Sequence, residues 1–310
     1  MRYASCSATS ASERGWGLIA ARFLIALLLM AAIAAQRSQA CNTIRPNDYL
    51  IFSGQDIRYS RSDFQGPSGA LGNIELSSFL VNASGFATCS GLVAGQNISF
   101  RDGMIQGAGA AAGADFFMQR ASVQGTVEYG GRLRRESAHA YQERASLSLD
   151  VRNLRAAWQF FLDQSASLSR KQANARARLA PQTLVFSSPL DEAVFDIPSW
   201  ELARASVLRL SGSSSARFII NVRGPSASIT EKAVTLAGGL RPGQIIFNFP
   251  EATSLKISAS GNAKFGIPAT ILAPYADVDF TNGLVTGGVY VGNLRGNGQV
   301  NAAATDWPPL

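Results

Sequence analysis

The chain has 310 residues, 46% of them hydrophobic, with 29 glycines and a formal charge of +7 from 28 Lys and Arg against 21 Asp and Glu. Four Arg and one Glu lie in residues 1–40, so residues 41–310 carry 7 − 4 + 1 = +4. So mild an excess argues against a dedicated nucleic-acid binder, and about 270 residues are within reach of one β-rich domain.

The first forty residues read as a targeting segment. Arg14 and Arg22 precede an apolar run from Phe23 to Ala35, and Ser38-Gln39-Ala40 offers a small-residue cleavage site. The run is short of the ~20 residues a membrane span needs and suits a secretory signal core, so the mature chain is expected to start at Cys41 and to be secreted or held in the cell envelope. A membrane-anchoring helix and a lipoprotein modified at Cys41 are the alternatives, the latter opposed by Ser38 where a Leu is usual. With Cys6 removed, Cys41 and Cys89 are expected to form a disulfide, as two cysteines do in an oxidising compartment. Two Cys with no nearby His make half a zinc site at best, and neither metal nor cofactor is expected.

Residues 44–130 carry a repeated phrase. Asn73-Ile74-Glu75-Leu76 and Asn97-Ile98-Ser99-Phe100 each open with Asn, place apolar residues at positions two and four, and turn at positions five to seven; Asp277-Val278-Asp279-Phe280 repeats this far downstream. Residues two apart share a strand face, so Val278 and Phe280 point one way and Asp277 and Asp279 the other. Copies 24 residues apart, each with one narrow apolar face, fit stacked coils better than isolated hairpins. The expected fold is mainly β, an irregular β-solenoid. The small-residue run 107–114 is either a loop or a place of close backbone packing, and it lacks the Gly-Lys-Ser/Thr of a phosphate cradle.

Between Ser148 and Leu179 the period changes. Val151, Leu154, Trp158, Phe161, Leu162 and Leu168 recur at three- and four-residue steps, which predicts one long helix over about 149–179, capped by Ser148 or Asp150 and packed alongside the solenoid. The same region is the most basic. From 130 to 180 ten cations, including Arg132, Arg134, Arg135, Arg152, Arg155, Arg170, Lys171, Arg176 and Arg178, face four acids. They form either an ordinary solvated helix face or a docking patch for an acidic surface.

Residues 183–302 return to strand alternation, with turns at Gly238-Gly239 and Pro242-Gly243. No linker divides them from the first half, so 41–302 reads as one domain with the helix inserted, followed by a short tail over 303–310 without an anchor. The phrases Phe247-Asn248-Phe249-Pro250-Glu251-Ala252-Thr253 and Ile271-Leu272-Ala273-Pro274, with Ser62-Asp63-Phe64-Gln65-Gly66 upstream, resemble the choice-of-anchor A domain of bacterial surface proteins over roughly residues 50–302. That resemblance implies an extracellular or surface-attached protein engaged in adhesion, with no catalytic residues to carry over.

Few residues suit catalytic chemistry. His139 is the only histidine, and no nucleophile elbow accompanies it. Asp277 with Asp279, and Asp191, Glu192 and Asp196, are the acid clusters a polysaccharide-cleaving β-helix would use. Calcium on Asp277, Asp279 and Asn282 would lack a ligand-spaced loop. The leading expectation is a non-catalytic secreted adhesion module for extracellular glycan or matrix. Its alternatives are a polysaccharide-active enzyme and a structural or ice-binding-like solenoid.

Overall fold

The computed structural model describes residues 44–85, 89–259 and 266–303. The predicted signal segment 1–40, Cys41 and residues 304–310 of the predicted tail lie outside them. The described chain is a β-solenoid with three faces and parallel pairing between coils. In the first coil, strand Ile51–Ser53 lies on face A, and strand Ile57–Phe64 bends across faces B and C. Ser68–Ala70 with Ile74–Val81, Ser90–Ala94 with Ile98–Ile105, and Gly109–Ala112 with Phe116–Tyr129 repeat the pattern. The register Ile57, Ile74, Ile98, Phe116 stacks the second residue of each phrase into the interior, where all four are buried.

The turn read in the phrase is the corner at which each coil passes from one face to the next. Arg61, Ser78, Asp102 and Arg120 stack in register, with φ from 45° to 55°. A left-handed residue costs about 1–2 kcal/mol without glycine, so each corner is held by the ladders on both sides of it. The opening Asn also has a structural task. Asn97 Nδ2 donates to Asn73 Oδ1 at 2.9 Å, Asn73 Nδ2 donates to Asp56 Oδ1 at 3.2 Å, and Asn97 Oδ1 accepts from the Asp115 amide at 3.0 Å. Each side chain thus bonds the next coil.

The coils do not follow chain order. Strand Ile51–Ser53 pairs with Ser68–Ala70 on one side and with Val289–Val291 on the other, so the first described coil lies in the middle of the stack. The N-terminal coils extend one way to Leu133–Glu136 and His139–Arg144. A long helix, α1 (Leu149–Arg170), then runs back along face A, and the C-terminal coils return from the far end to the starting coil. At that far end a short helix, α2 (Ser199–Arg204), packs beside strand Ser226–Thr230, and Arg178–Ala180, Thr183–Ser187, Val207–Ser211 and Ala233–Ala237 form a separate sheet on face C.

Face A strands are buried on both sides because α1 covers them. Ser148 Oγ accepts from the Val151 amide as the N-cap. Leu154, Ala157, Phe161, Ser165 and Leu168, at steps of three and four, are the buried stripe. Phe161 stacks on Tyr290 with centroids 4.1 Å apart, and Phe52 and Leu272 lie in the same cluster. Helical propensity alone leaves such a segment marginal, so this packing stabilises it. Two buried polar clamps set its position. Asp150, rather than capping, accepts from the Ile44 amide and Ser90 Oγ; at the other end Asn221 Nδ2 donates to Leu168 O. From Asp150 to Leu168 a helix rises about 27 Å. Six strand spacings separate Ser90–Ala94 from Arg217–Arg223, about 29 Å. The clamps fit the helix to the stack.

The helix ends at Arg170, not near 179 as predicted. The amides of Asn174 and Ala175 both donate to Val194 O, and Asn174 Oδ1 accepts from the Val194 amide, so pairing with the edge strand overrides the helix-forming Lys171-Gln172-Ala173. The run 107–114 is a site of close packing: Gly109–Ala112 is a buried strand, and a Cβ on Gly113 would lie 2.1 Å from Gly95 O. Cys89 is half-buried ahead of Ser90, and its expected disulfide partner, Cys41, falls outside the described residues.

Candidate functional site

With α1 on face A, face B remains open. Nine strand segments run along it, about 38 Å from end to end. Its middle outward row reads Ser228, Lys256, Asp279, Arg295, Arg58, Glu75, Ser99, Phe117 and Arg134 in register. A second row carries the hydroxyls of Thr230, Ser258, Thr281, Ser60 and Ser77, then Arg101, Gln119 and Glu136. The alternation that sends Ile57, Tyr59, Leu76 and Phe100 inward turns these residues to the other side of the sheet, where all but the buried Ser258 reach the surface at least in part.

The charges of this face are largely satisfied by one another. Arg58 lies 3.2 Å from Asp56 and 3.6 Å from Glu75, and Arg295 lies 3.6 Å from Asp279. Arg101 and Arg134 both cover the Phe117 ring, at 5.0 and 5.4 Å. At the corner beyond, the Arg120 guanidinium bonded to Asp102 holds that carboxyl below its usual range. Exposed pairs of this kind contribute about 0–1 kcal/mol each. Their effect is to hold opposite charges side by side on neighbouring strands. On face C, burial pushes the Asp63 carboxyl up, and the Gln299 amide bonded to it partly offsets the shift.

The predicted basic patch is not one patch. Arg132, Arg134 and Arg135 sit in the last N-terminal coil and pair with Asp115, Glu136 and Glu143. Arg152 and Arg155 lie on the outer side of α1, while Arg170, Lys171, Arg176 and Arg178 lie at the opposite end, where Lys171 pairs with Glu192. The helix's own length of about 33 Å separates the groups. His139 is exposed on the terminal strand. The acid clusters are engaged in structure: Asp196 binds Arg223 at 2.7 Å, Asp191 accepts from Ser215 Oγ, and Asp279 pairs with Arg295. Among the described residues no group of His, Cys, Asp and Glu is placed to hold a metal ion, and no helix is long and apolar enough to cross a membrane. Sequence reasoning missed the groove where Trp158 and Arg155 stand opposite Leu71 and Gln96. Its only signal is a Trp three residues beyond an Arg on the edge of the helix stripe.

Solved structures similar to the chain include an ice-binding protein from the Antarctic ascomycete Antarctomyces psychrotrophicus, at 10% identity, 84% of this chain, 98% of that one and TM-score 0.42. An ice-binding protein domain from Shewanella frigidimarina matches at 12%, 85%, 97% and 0.40, and an ice-binding protein from an Antarctic biological consortium at 12%, 86%, 91% and 0.38. No curated protein matches. Residues 45–302 match the family model of the ice-binding-like adhesive domain. This match replaces the choice-of-anchor A resemblance. Phe247, Asn248, Phe249, Ala252 and Ile271 to Ala273, which carried it, are fully buried, so those phrases record the packing of a covered solenoid face. The chain belongs to the ice-binding-like adhesive domain family.

Proposed function

We propose that residues 41–302 act as one secreted, non-catalytic adhesive domain that lays face B against an extracellular glycan or matrix polymer. One observation carries this reading: face B is not covered by α1 and is lined by in-register rows of short hydroxyls and mutually paired charges, with the Arg58 and Glu75 side chains 58% and 57% exposed. A hydrated polymer with repeating polar groups matches such rows along their length. The family's adhesive description agrees with it.

A second reading takes ice as the surface. The face C sheet at the far end presents Thr183, Val207 and Ala233 in one row and Ser187, Ser211 and Ala237 in another, small side chains in register, interrupted between them by Arg209. The purified protein, labelled and offered to polysaccharide beads, matrix protein and a growing ice surface at two salt concentrations, separates the readings. Retention on polymer that Ser77→Trp abolishes and salt weakens supports face B. Incorporation into ice that Val207→Trp abolishes supports face C. Release of oligosaccharide from the beads overturns both.

A further inference from the structure

Where α1 passes the corner between faces A and B, the helix leaves a groove of about 490 Å³. Val151, Arg155, Trp158 and Gln159 line one side, and Leu71 and Gln96 the other. The volume lies within the range of about 300–1,000 Å³ typical of small-ligand sites. Val151, Leu71 and Trp158 make an apolar lining continuous with the cluster under α1.

The indole is held in place. Trp158 lies nearly parallel to Phe52, with centroids 6.0 Å apart and planes at 12°, and a Cβ on Gly54 would come within 2.3 Å of its six-membered ring. Gly54 is what lets the ring lie against the strand. Little side-chain freedom remains to be lost when a ligand arrives. The rim is polar. Gln159 Nε2 donates to Asp163 at 2.9 Å, which leaves its Oε1 as an acceptor, and Gln96 is exposed at the corner, anchored by its backbone to Gly72 and Ala114.

The groove also carries an uncommitted charge. Among the described residues Arg155 makes no ion pair, as is true of Arg152, Arg170, Arg176 and Arg178, whereas the cations of the terminal coil and Lys171 do; of the five, Arg155 alone lines the groove beside Trp158. An exposed guanidinium beside a fixed aromatic ring and two carboxamides suits a ligand with one carboxylate, several hydroxyls and an apolar ring face. A guanidinium binds a carboxylate through two parallel N–H donors, which orients as well as attracts.

We propose that this groove binds a uronic acid unit of an acidic polysaccharide, with its carboxylate on Arg155, its C–H face on Trp158 and its hydroxyls on Gln96 and Gln159. The site is separate from face B, and it is read in solution rather than by adsorption, so the failure of either assignment is distinguishable from that of the other.

The test titrates the purified protein with trigalacturonate and with the same trimer after reduction of its carboxyls, followed by tryptophan fluorescence and by amide shifts in nuclear magnetic resonance. The expected result is saturable binding of the acidic trimer, shifts centred on Gly95, Gln96 and Arg155, no binding of the reduced trimer, and a loss of about tenfold or more for Arg155→Gln, the scale of one charge-assisted hydrogen bond. Arg155 is exposed, so the variant folds, and an unchanged melting curve verifies it. Absence of binding, equal binding of the reduced trimer, shifts centred elsewhere, or an Arg155→Gln affinity within twofold of the parent overturns the proposal.

Discussion

Replacing Asn248 with Ala tests whether buried polar bonds clamp α1 to the solenoid. Asn248 is fully buried on face A. Its Nδ2 donates to Ser165 O at 3.1 Å and to Asn221 Oδ1 at 2.8 Å, and its Oδ1 accepts from Ser165 Oγ at 2.7 Å. Asn248→Ala removes all three bonds and strands Ser165 Oγ and Asn221 Oδ1 away from water. A hydrogen bond contributes about 1 kcal/mol net, and a buried group left without a partner costs about 1–3 kcal/mol. The two terms overlap, so the expected loss is about 3–5 kcal/mol, a large share of a typical domain's 5–15 kcal/mol. Urea unfolding followed by fluorescence and far-ultraviolet circular dichroism should show a lower midpoint with an unchanged slope. Adding Ser165→Ala to Asn248→Ala should cost less than the sum of the two, with a coupling of about 1–2 kcal/mol, because both variants delete one shared bond. A loss below about 0.5 kcal/mol, or strict additivity, would refute the clamp.

Three further outcomes are expected. Gly113→Ala should destabilise by about 1–3 kcal/mol in thermal melts, since its Cβ would meet the backbone of the adjacent coil 2.1 Å away; Gly266→Ala, whose Cβ would approach no described atom closer than Leu284 O at 3.9 Å, should shift little. Asn97→Ala breaks one rung of the Asn ladder and should lower stability by about 1–2 kcal/mol, with Asn97→Asp losing less because it keeps the acceptor for the Asp115 amide. Asp63 has a pKa raised by burial above the ordinary 3.8, so the folded state holds that proton more tightly and Asp63's contribution to stability falls as pH rises from 3.8 through the raised value. Asp63→Asn should flatten stability against pH over that window and help most at neutral pH, as denaturation at stepped pH would reveal.

The solenoid and its helix were legible because both write a period into the chain. Ile74 and Leu76 against Ile98 and Phe100 announce stacked strands, and Leu154, Phe161 and Leu168 a helix buried on one side. The Asn at the head of each phrase was visible, but its bond to the next coil was not, since a ladder joins residues 24 apart that only the register brings together. The turn inside each phrase was legible as well, but not the left-handed backbone at Arg61, Ser78, Asp102 and Arg120 that makes it a coil corner, since only the register stacks these unlike residues. The helix end was hidden because Asn174 stops it through a partner 20 residues away, Val194. The basic cluster misled for the opposite reason. Cations close together along a helix and its flanks are far apart in space once the helix spans the stack, and proximity in sequence says nothing of which ones, such as Arg132, meet an acid.

The pairing of Ile51–Ser53 with Val289–Val291 makes the folding of this repeat-built molecule depend on a contact between coils far apart in sequence. A linear solenoid can nucleate anywhere and grow coil by coil, each coil needing only its neighbour. Here the first coil waits for one about 240 residues later, and Ser53 Oγ donating to Gly292 O and Tyr290 Oη donating to Tyr49 O span that gap. Closure over so long a separation makes folding slow, and while a chain is being synthesised it leaves the edge of Ile57–Phe64 open until the last coil is made. The molecule is therefore most vulnerable to edge-to-edge association before its final strands arrive, and least so afterwards, when that edge lies in the middle of the stack.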